Sequence, residues 1–214
     1  MNGICSFLID FGVNLFFAFL GVVLAIWYEN LGSARLLFTP ENTTDEVKPN
    51  GLRTRFLHVG IKNVPKKVPF VTRQTAFSVH GTISFITTDG KQVGKTMPIR
   101  WDGAPEPIKY EVSDGKVFTI PDPRLVRISR FMDVPPDENE SLAIAVRIHD
   151  EKNAYGWTSE SYFNKWRHDD FLLPPGKYIA RVRLTTGDSI FESEFPFNNL
   201  GEFETFDLSD KNAG

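Results

Sequence analysis

The 214-residue sequence has little cysteine, little histidine and no excess of charge of either sign. Its one cysteine, Cys5, excludes a disulfide within the chain and a zinc site built on several thiolates. Because no cysteine follows Cys5, a thiolate nucleophile is also excluded from the rest of the chain. The sequence therefore gives no sign of a disulfide scaffold, a zinc finger or a cysteine enzyme.

Basic residues are absent from the first part of the chain and balanced by acidic residues afterwards. No Lys or Arg precedes Arg35. All 24 basic residues and 25 of the 27 acidic residues therefore lie at position 35 or later. A domain balanced in this way lacks the basic surface typical of nucleic-acid binding, and it lacks a polybasic patch for anionic lipid. We therefore expect no nucleic-acid partner.

Motifs with a known chemistry are also missing. The sequence contains no Gly-rich phosphate loop, no HExxH or GxSxG motif and no cysteine spacing for zinc. It therefore predicts no cofactor, and it favours a non-enzymatic protein over an enzyme.

A long apolar segment lies near the N-terminus. Residues Phe11 to Tyr28 are 18 residues without a charge, which as a helix reach about 27 Å, close to the hydrocarbon thickness of a bilayer. Trp27 and Tyr28 lie where an interfacial aromatic belt belongs. A cleaved signal peptide with a site at 32–34 is the alternative, but a basic n-region is missing and the core is long for that role. We predict a transmembrane helix at 4–28, a linker at 29–34, a domain at 35–208 and a disordered tail at 209–214.

One face of this helix carries small and polar residues at steps of three and four. Small residues allow helices to approach closely, and a buried Asn can hydrogen-bond to a neighbouring helix. The pattern raises the hypothesis of docking on a second copy or on a partner protein; otherwise Asp10 simply reaches the headgroups. The residues of this helix-contact stripe are Asp10, Asn14, Ala18, Gly21 and Ala25.

The side of the membrane on which the domain lies follows from few charges. Arg35 and Lys48 come after the helix, and no basic residue comes before it. The positive-inside rule then places the C-terminal domain in the cytoplasm. Asn-x-Ser/Thr sequons at Asn42 and Asn139 are the argument for an extracytoplasmic domain.

The residues after the helix form short segments in which apolar and polar residues alternate, separated by turn signals. The clearest are 55–61, 75–87, 142–148 and 178–184, and further strands are predicted at 96–101, 117–120, 125–131, 189–197 and 202–208. Only 159–167 suggests a short helix or an irregular segment. Eight to ten strands without amphipathic helices predict an all-β fold, an antiparallel β-sandwich.

The segment Leu173 to Val182 (LPPGKYIARV) resembles the approach to strand F of immunoglobulin-like and fibronectin type III domains. In those domains a tyrosine at this point hydrogen-bonds back across the corner. The resemblance implies an immunoglobulin-like sandwich with Tyr178 as the corner tyrosine and with Ile179, Val182 and Leu184 as packing positions. It covers about ten residues and implies no function.

Aromatic residues are concentrated between 153 and 171. Aromatic and arginine side chains are typical anchors of binding surfaces, although a long connection can also use aromatics to cover a core edge. We predict a binding surface on this segment. Its residues are Tyr155, Trp157, Tyr162, Trp166 and Arg167.

Two histidines stand next to carboxylates on either side of the aromatic segment. His149 with Asp150, and His168 with Asp169, offer ligand types that metals accept, although adjacent residues on an extended chain point in opposite directions. His58 and His80 are predicted on the solvent-facing side of their strands. The candidate metal ligands are therefore His149, Asp150, His168 and Asp169.

Three functions remain open from the sequence. The leading one is a single-pass, membrane-anchored, non-enzymatic interaction module. The alternatives are a carbohydrate-binding, metal-binding or hydrolytic domain that uses the His/Asp loops, and a structural subunit of a membrane complex joined through the helix-contact stripe.

Overall fold

The computed structural model describes residues 2–47, 51–65, 72–113, 115–163, 167–187 and 189–208. In these ranges a long N-terminal helix precedes two antiparallel β-sheets that pack face to face as a sandwich. The helices are α1 (Asn2–Gly32), α2 (Pro123–Ile128) and α3 (Ser159–Phe163). The predicted all-β sandwich behind one apolar helix is confirmed.

The first sheet has its described strands in the order β1–β3–β10–β11–β12, with β2 paired to β3 and β6 paired to β10. These strands are β1 (Leu36–Pro40), β2 (Thr44–Val47), β3 (Arg53–Asn63), β6 (Arg100–Trp101), β10 (Asn139–Ile148), β11 (Ala154–Gly156) and β12 (Leu172–Leu173).

The second sheet has its described strands in the order β15–β14–β13–β4–β5, with β9 paired to β4. These strands are β4 (Ala76–Thr87), β5 (Gln92–Pro98), β9 (Met132–Val134), β13 (Gly176–Thr186), β14 (Ser189–Asn199) and β15 (Asp207–Leu208). A separate hairpin pairs β7 (Ile108–Ser113) with β8 (Lys116–Pro121).

The core forms between the sheets because apolar residues alternate along each long strand. Leu57, Val59 and Ile61 of β3 pack toward Ala180, Val182 and Leu184 of β13, as a period of two requires for one buried face. Ile179 lies on the other side of β13 and is only half-buried, so it is not a core position. Tyr178 is buried, and its hydroxyl donates to the carbonyl oxygen of Pro174 at 2.5 Å, the kind of contact that the corner resemblance implies.

Two predicted strands are wrong or shortened. The segment 125–131 lies mostly in α2, because Asp122 caps the helix by accepting from the Arg124 N–H at 3.0 Å and Pro123 suits the first turn. Alternation over so few residues did not distinguish strand from helix. The segment 202–208 begins with a 3-10 turn at Phe203–Thr205 and reaches a strand only at β15.

Helix α1 runs directly into the sandwich. It continues to Gly32, so most of the predicted linker at 29–34 is helical, and only three residues separate the helix from β1. The Gln74 N–H donates to the Gly32 carbonyl oxygen at 2.8 Å, and the Arg73 guanidinium donates to the carbonyl of Ser33. The helix is therefore hydrogen-bonded to the domain that follows it.

Asn63 holds this junction together. It ends β3, and its side chain is completely buried. Its amide oxygen accepts from the Arg35 N–H at 3.2 Å, and its amide nitrogen donates to the carbonyl oxygens of Gln74 at 2.9 Å and Val134 at 3.0 Å. We call this the helix end of the sandwich, where β3 ends and β1, β4, β10 and β14 begin. The opposite end, at Arg53, Ile148 and Asn199, is the far end.

Candidate functional site

The aromatic segment is only partly available for binding. Tyr155 is 5% exposed and Phe171 is buried in the core, whereas Trp157 is half-buried and Arg167 is exposed. The side chain of Tyr162 and the whole of Trp166 lie outside the described residues. Among the described members, an accessible surface is thus limited to Trp157 and Arg167.

Tyr155 has a structural partner that explains its inward position. Its hydroxyl donates to Glu151 Oε2 at 2.9 Å, and Arg167 donates to the other oxygen of the same carboxylate. Burial and the hydrogen bond to Glu151 raise the pKa of the Tyr155 phenol. The three residues connect β11 to the segment that follows it. This is the alternative role of these aromatics, in which a long connection covers the edge of the core.

The two histidine–carboxylate pairs remain local. His149 Nδ1 lies 3.0 Å from Asp150 Oδ1, and its ring packs 5.1 Å from the ring of Phe203. His168 accepts from the Asp170 N–H and caps the 3-10 turn at Asp169–Phe171. The described residues contain no group of three or more His, Cys, Asp or Glu side chains that could hold a metal ion. The structure thus does not bring the two pairs together as one ligand set.

The helix-contact stripe is open along its described length. Asn14, Ala18, Gly21 and Ala25 are exposed, and a Cβ added at Gly21 would meet nothing within 4 Å. The side chain of Asp10 lies outside the described residues. A neighbouring helix could therefore approach this face closely.

A polar cluster on the outer face of the first sheet escaped prediction. His58 lies on the face opposite the core, as its strand pattern predicts, but it is 6% exposed, so the prediction of a surface histidine is wrong. Ser141 Oγ donates to Glu41 Oε2 at 2.6 Å and lies 3.5 Å from His58 Nδ1. Asp102 Oδ1 lies 3.8 Å from the same nitrogen. Gly60 leaves room for Glu41, since a Cβ there would stand 2.6 Å from its Oε1.

The geometry of this cluster fits a structural contact between strands rather than a catalytic triad. A nucleophilic serine needs a histidine that contacts the hydroxyl with one ring nitrogen and a carboxylate with the other. Here Ser141 and Asp102 both face Nδ1 of His58, while the buried Nε2 has no hydrogen-bond partner among the described residues. Glu41 and Ser141 are 100 positions apart, and His58 and Ser141 are 83 apart, so no local signal in the sequence pointed to them.

A groove with a mixed polar and apolar lining runs along the open edge between the two sheets, close to the helix end. It encloses about 410 Å³ between β1 and the start of β14. The rings of Phe38 and Phe195, 6.4 Å apart, pack where the two sheets meet at this edge. The lining residues are Leu36, Leu37, Phe38, Ile190, Phe191, Glu192 and Ser193.

The far end is closed by a buried arginine. Arg147 is 1% exposed, and its guanidinium donates to Asn199 Oδ1 at 2.9 Å and to the carbonyl oxygens of Glu151, Gly201 and Glu202. Burial lowers the pKa of this guanidinium from its usual high value. Asn199, also completely buried, donates onward to the carbonyls of Lys152 and Leu173. The network ties the two sheets together, which is a structural role.

No protein-family model, curated protein or solved structure matches this chain. The helix, the surfaces and the polar clusters of the chain itself are therefore the basis for its function.

Proposed function

We propose that this protein is a single-pass, membrane-anchored interaction module without enzymatic activity. Helix α1 crosses the bilayer, and the immunoglobulin-like sandwich is held at its surface, on the cytoplasmic side according to the charges that follow the helix. The observation that carries the proposal is the apolar helix segment Phe11–Gly32, long enough to cross a membrane and unburied by the rest of the chain.

The exposed side chains of this segment are incompatible with water as their surroundings. Phe16, Phe17 and Val22 are exposed on different sides of the helix, together with most of their apolar neighbours. Each such side chain costs about 1.5–3 kcal/mol in water relative to an apolar environment. A helix that is apolar on every face is stable in a bilayer or in a protein core, and the sandwich covers none of residues 11–30. Trp27 and Tyr28 are exposed where the aromatic belt belongs.

Anchoring is tested by alkaline carbonate extraction of membranes that contain the full chain. We expect the native protein to stay in the membrane pellet and the Leu20→Lys/Val23→Lys variant to be released, because two lysines at mid-span each cost about 2.5–3.5 kcal/mol on insertion. Ile120→Lys, on the exposed β7–β8 hairpin, is the matched control and should stay in the pellet. A native chain released by carbonate would overturn the proposal.

The interaction role is supported by the groove between β1 and β14, by the half-buried Trp157 and by the exposed Arg167. Affinity capture of the full chain from solubilised membranes is the direct test. The Phe38→Glu variant places a charge in the groove, and the Arg167→Glu variant reverses the charge of the surface at Trp157 and Arg167. We expect a partner that depends on one of the two positions. Capture of the same proteins by both variants would remove the support for both surfaces.

A subunit of a membrane complex is the second candidate, and Asn14 favours it. Its amide is exposed on an otherwise apolar helix, in line with Ala18 and Gly21. A neighbouring helix would supply a hydrogen-bond partner worth about 0.6–2 kcal/mol. Asn14→Leu/Gly21→Leu should abolish self-association or partner capture in a membrane two-hybrid assay, while Phe19→Leu on another face should not. Equal signals from both variants would reject this candidate.

A further inference from the structure

The helix end of the sandwich exposes large apolar side chains at the level where α1 leaves the membrane. Phe77 follows the first residue of β4 and is 64% exposed, and Ile190 follows the first residue of β14 and is 56% exposed. Leu37, next to the start of β1, is about half exposed. Phe131, just before β9, also exposes about half of its surface and packs 5.2 Å from the ring of His80. We call these four residues the apolar rim.

Three members of the rim lie close together, at the end of the second sheet and the neighbouring edge of the first. Thr186, at the end of β13, donates to the carbonyl oxygen of Phe77 at 2.7 Å, which joins β4 to the β13–β14 turn beside Ile190. Leu37 and Ile190 line the same groove. Phe77, Ile190 and Leu37 are therefore grouped at this end rather than scattered over the domain, and exposed apolar residues grouped in this way mark an interaction site.

The same end carries two guanidinium groups without a carboxylate partner. Arg35 follows the end of α1 by three residues and Arg73 donates to the carbonyl of Ser33, and neither forms an ion pair among the residues that the structure describes. Burial, and to a smaller extent the positive charge of Arg35, lower the pKa of Arg73. Two guanidinium groups at one end of the sandwich, neither paired with a carboxylate in the described residues, can bind an anion from outside the chain.

The position of the helix identifies the surface that would cover the rim. Only three residues separate Gly32 from β1, and the junction is fixed by the hydrogen bonds of Gln74 and Asn63. The headgroup region that surrounds the end of a transmembrane helix therefore lies within about 10 Å of this end of the sandwich. That region offers apolar surface beneath anionic phosphates, which matches the chemistry of the rim and of the arginine pair.

We propose that the helix end of the sandwich rests on the membrane, with the apolar rim at the headgroup boundary and with Arg35 and Arg73 on lipid phosphates. This inference rests on the membrane anchoring proposed above. Two arginines carry much less charge than a polybasic patch. The contact therefore orients the sandwich, and the transmembrane helix provides the anchoring. The sandwich thereby stands upright and presents its far end to the aqueous phase.

The test uses the full chain with Cys5→Ser, so that a single cysteine can be introduced and labelled with an environment-sensitive fluorophore. Phe77→Cys and Ile190→Cys report on the rim, and Val47→Cys and Leu200→Cys, both exposed, report on the far end. Each protein is reconstituted into phosphatidylcholine/phosphatidylserine vesicles that contain a lipid with a headgroup nitroxide. We expect blue-shifted, strongly quenched emission from the rim labels only, because β14 alone separates the two ends by about 33 Å.

Carbonate extraction of the same vesicles separates the two proposals. A chain that resists extraction but whose rim and far-end labels are quenched equally overturns the resting of the sandwich on the membrane and leaves the anchor standing. A chain that is extracted overturns the anchor itself. Blue-shifted rim labels without nitroxide quenching would show that protein, such as a second copy, covers the rim, and would also overturn the inference.

The arginine pair is tested by comparing vesicles with and without phosphatidylserine. Quenching of the Phe77 label should increase with the anionic lipid, and Arg35→Gln/Arg73→Gln should abolish that increase while Arg35→Lys/Arg73→Lys retains most of it. Arg183→Gln, an exposed position on the second sheet, should leave the increase unchanged. A lipid dependence that survives the loss of both arginines would overturn their role.

Discussion

The two ends of the sandwich are held by different chemistry. At the far end, Arg55 pairs with both oxygens of Asp45 at 2.6 and 2.8 Å and stacks 4.7 Å from the ring centre of Phe203. Arg147 beneath it is enclosed by carbonyl and amide oxygens. At the helix end, the neutral amide of Asn63 joins the strands, while Arg35 and Arg73 find no carboxylate among the described residues.

The difference lies in how the arginines of the two ends are paired. At the far end, Arg55 and Arg147 are satisfied within the chain, and the large aromatic Phe203 is covered by arginine. The helix end exposes the aromatic rings of Phe77 and Phe131, and its Arg35 and Arg73 have no carboxylate partner among the described residues. A surface that combines exposed apolar side chains with such arginines is suited to the boundary of a membrane, whereas the far end is suited to the aqueous phase.

Removing Arg147 should have the largest effect on stability. Arg147→Ala leaves Asn199 Oδ1 and buried carbonyls without a donor and opens a cavity, so we expect a loss of about 3–5 kcal/mol in the free energy of unfolding. Urea unfolding in detergent, followed by tryptophan fluorescence, measures this loss. Arg183→Ala is the exposed control and should change stability by less than about 0.5 kcal/mol. A tolerated Arg147→Ala would mean that the far end is closed by other contacts.

Asn63→Asp should weaken the helix end by about 2–3 kcal/mol. An aspartate can still accept from the Arg35 N–H but cannot donate to the carbonyls of Gln74 and Val134, and it adds a buried charge. Hydrogen exchange of the full chain should show faster exchange at residues 35 and 74, with little change at residues 147 and 199. Equal changes at both ends would show that the ends do not open independently.

Asp45→Asn should reduce stability at neutral pH by about 1 kcal/mol, since the pair with Arg55 is partly exposed. The Arg55 hydrogen bond holds the pKa of Asp45 below its usual 3.8. A depressed carboxyl pKa stabilises the fold above the usual pKa, and this contribution is lost as the pH falls through the lowered value. The stability gap between native and variant should therefore close below about pH 4.

Asp137→Asn is the comparison for that titration. Asp137 pairs with Lys62 near the helix end, it is well exposed, and its positive φ suits asparagine. We expect a change of less than about 0.5 kcal/mol at neutral pH. A pH-dependent gap as large as that of Asp45→Asn would contradict the distinction between the two ends.

Polar substitution of the rim should have the smallest effect. Phe77→Ser and Ile190→Ser remove side chains that are mostly exposed, so the free energy of unfolding in detergent should change by less than about 0.5 kcal/mol. Phe85→Ala, in the buried half of β4, should instead cost about 3–5 kcal/mol. A large loss from Phe77→Ser would mean that the rim is part of the core rather than a surface for another phase.

Patterns within one element were predictable because their cause is local. The uncharged run of bilayer length predicted the helix, and the alternation in β3 and β13 predicted strands, because backbone periodicity sets both patterns. The hydrogen bond of Tyr178 was also predictable, because its partner Pro174 is only four residues away. The helix α2 was missed because its cap at Asp122 outweighed a short alternation. His58 was placed on the correct face, but its burial depends on Ser141 of the neighbouring strand β10 and on Glu41, which follows β1.

The sequence by itself determined one apolar helix, an all-β domain and the inward face of each long strand, because these properties depend on residue spacing along the chain. The tertiary structure decided which polar groups meet: Asn63 with the end of the helix, Arg147 with Asn199, and Ser141 with Glu41. It also decided that Leu37, Phe77 and Ile190 share the end from which the helix emerges. Such contacts depend on how two sheets pair and stack, and residues far apart along the chain carry no local record of that pairing.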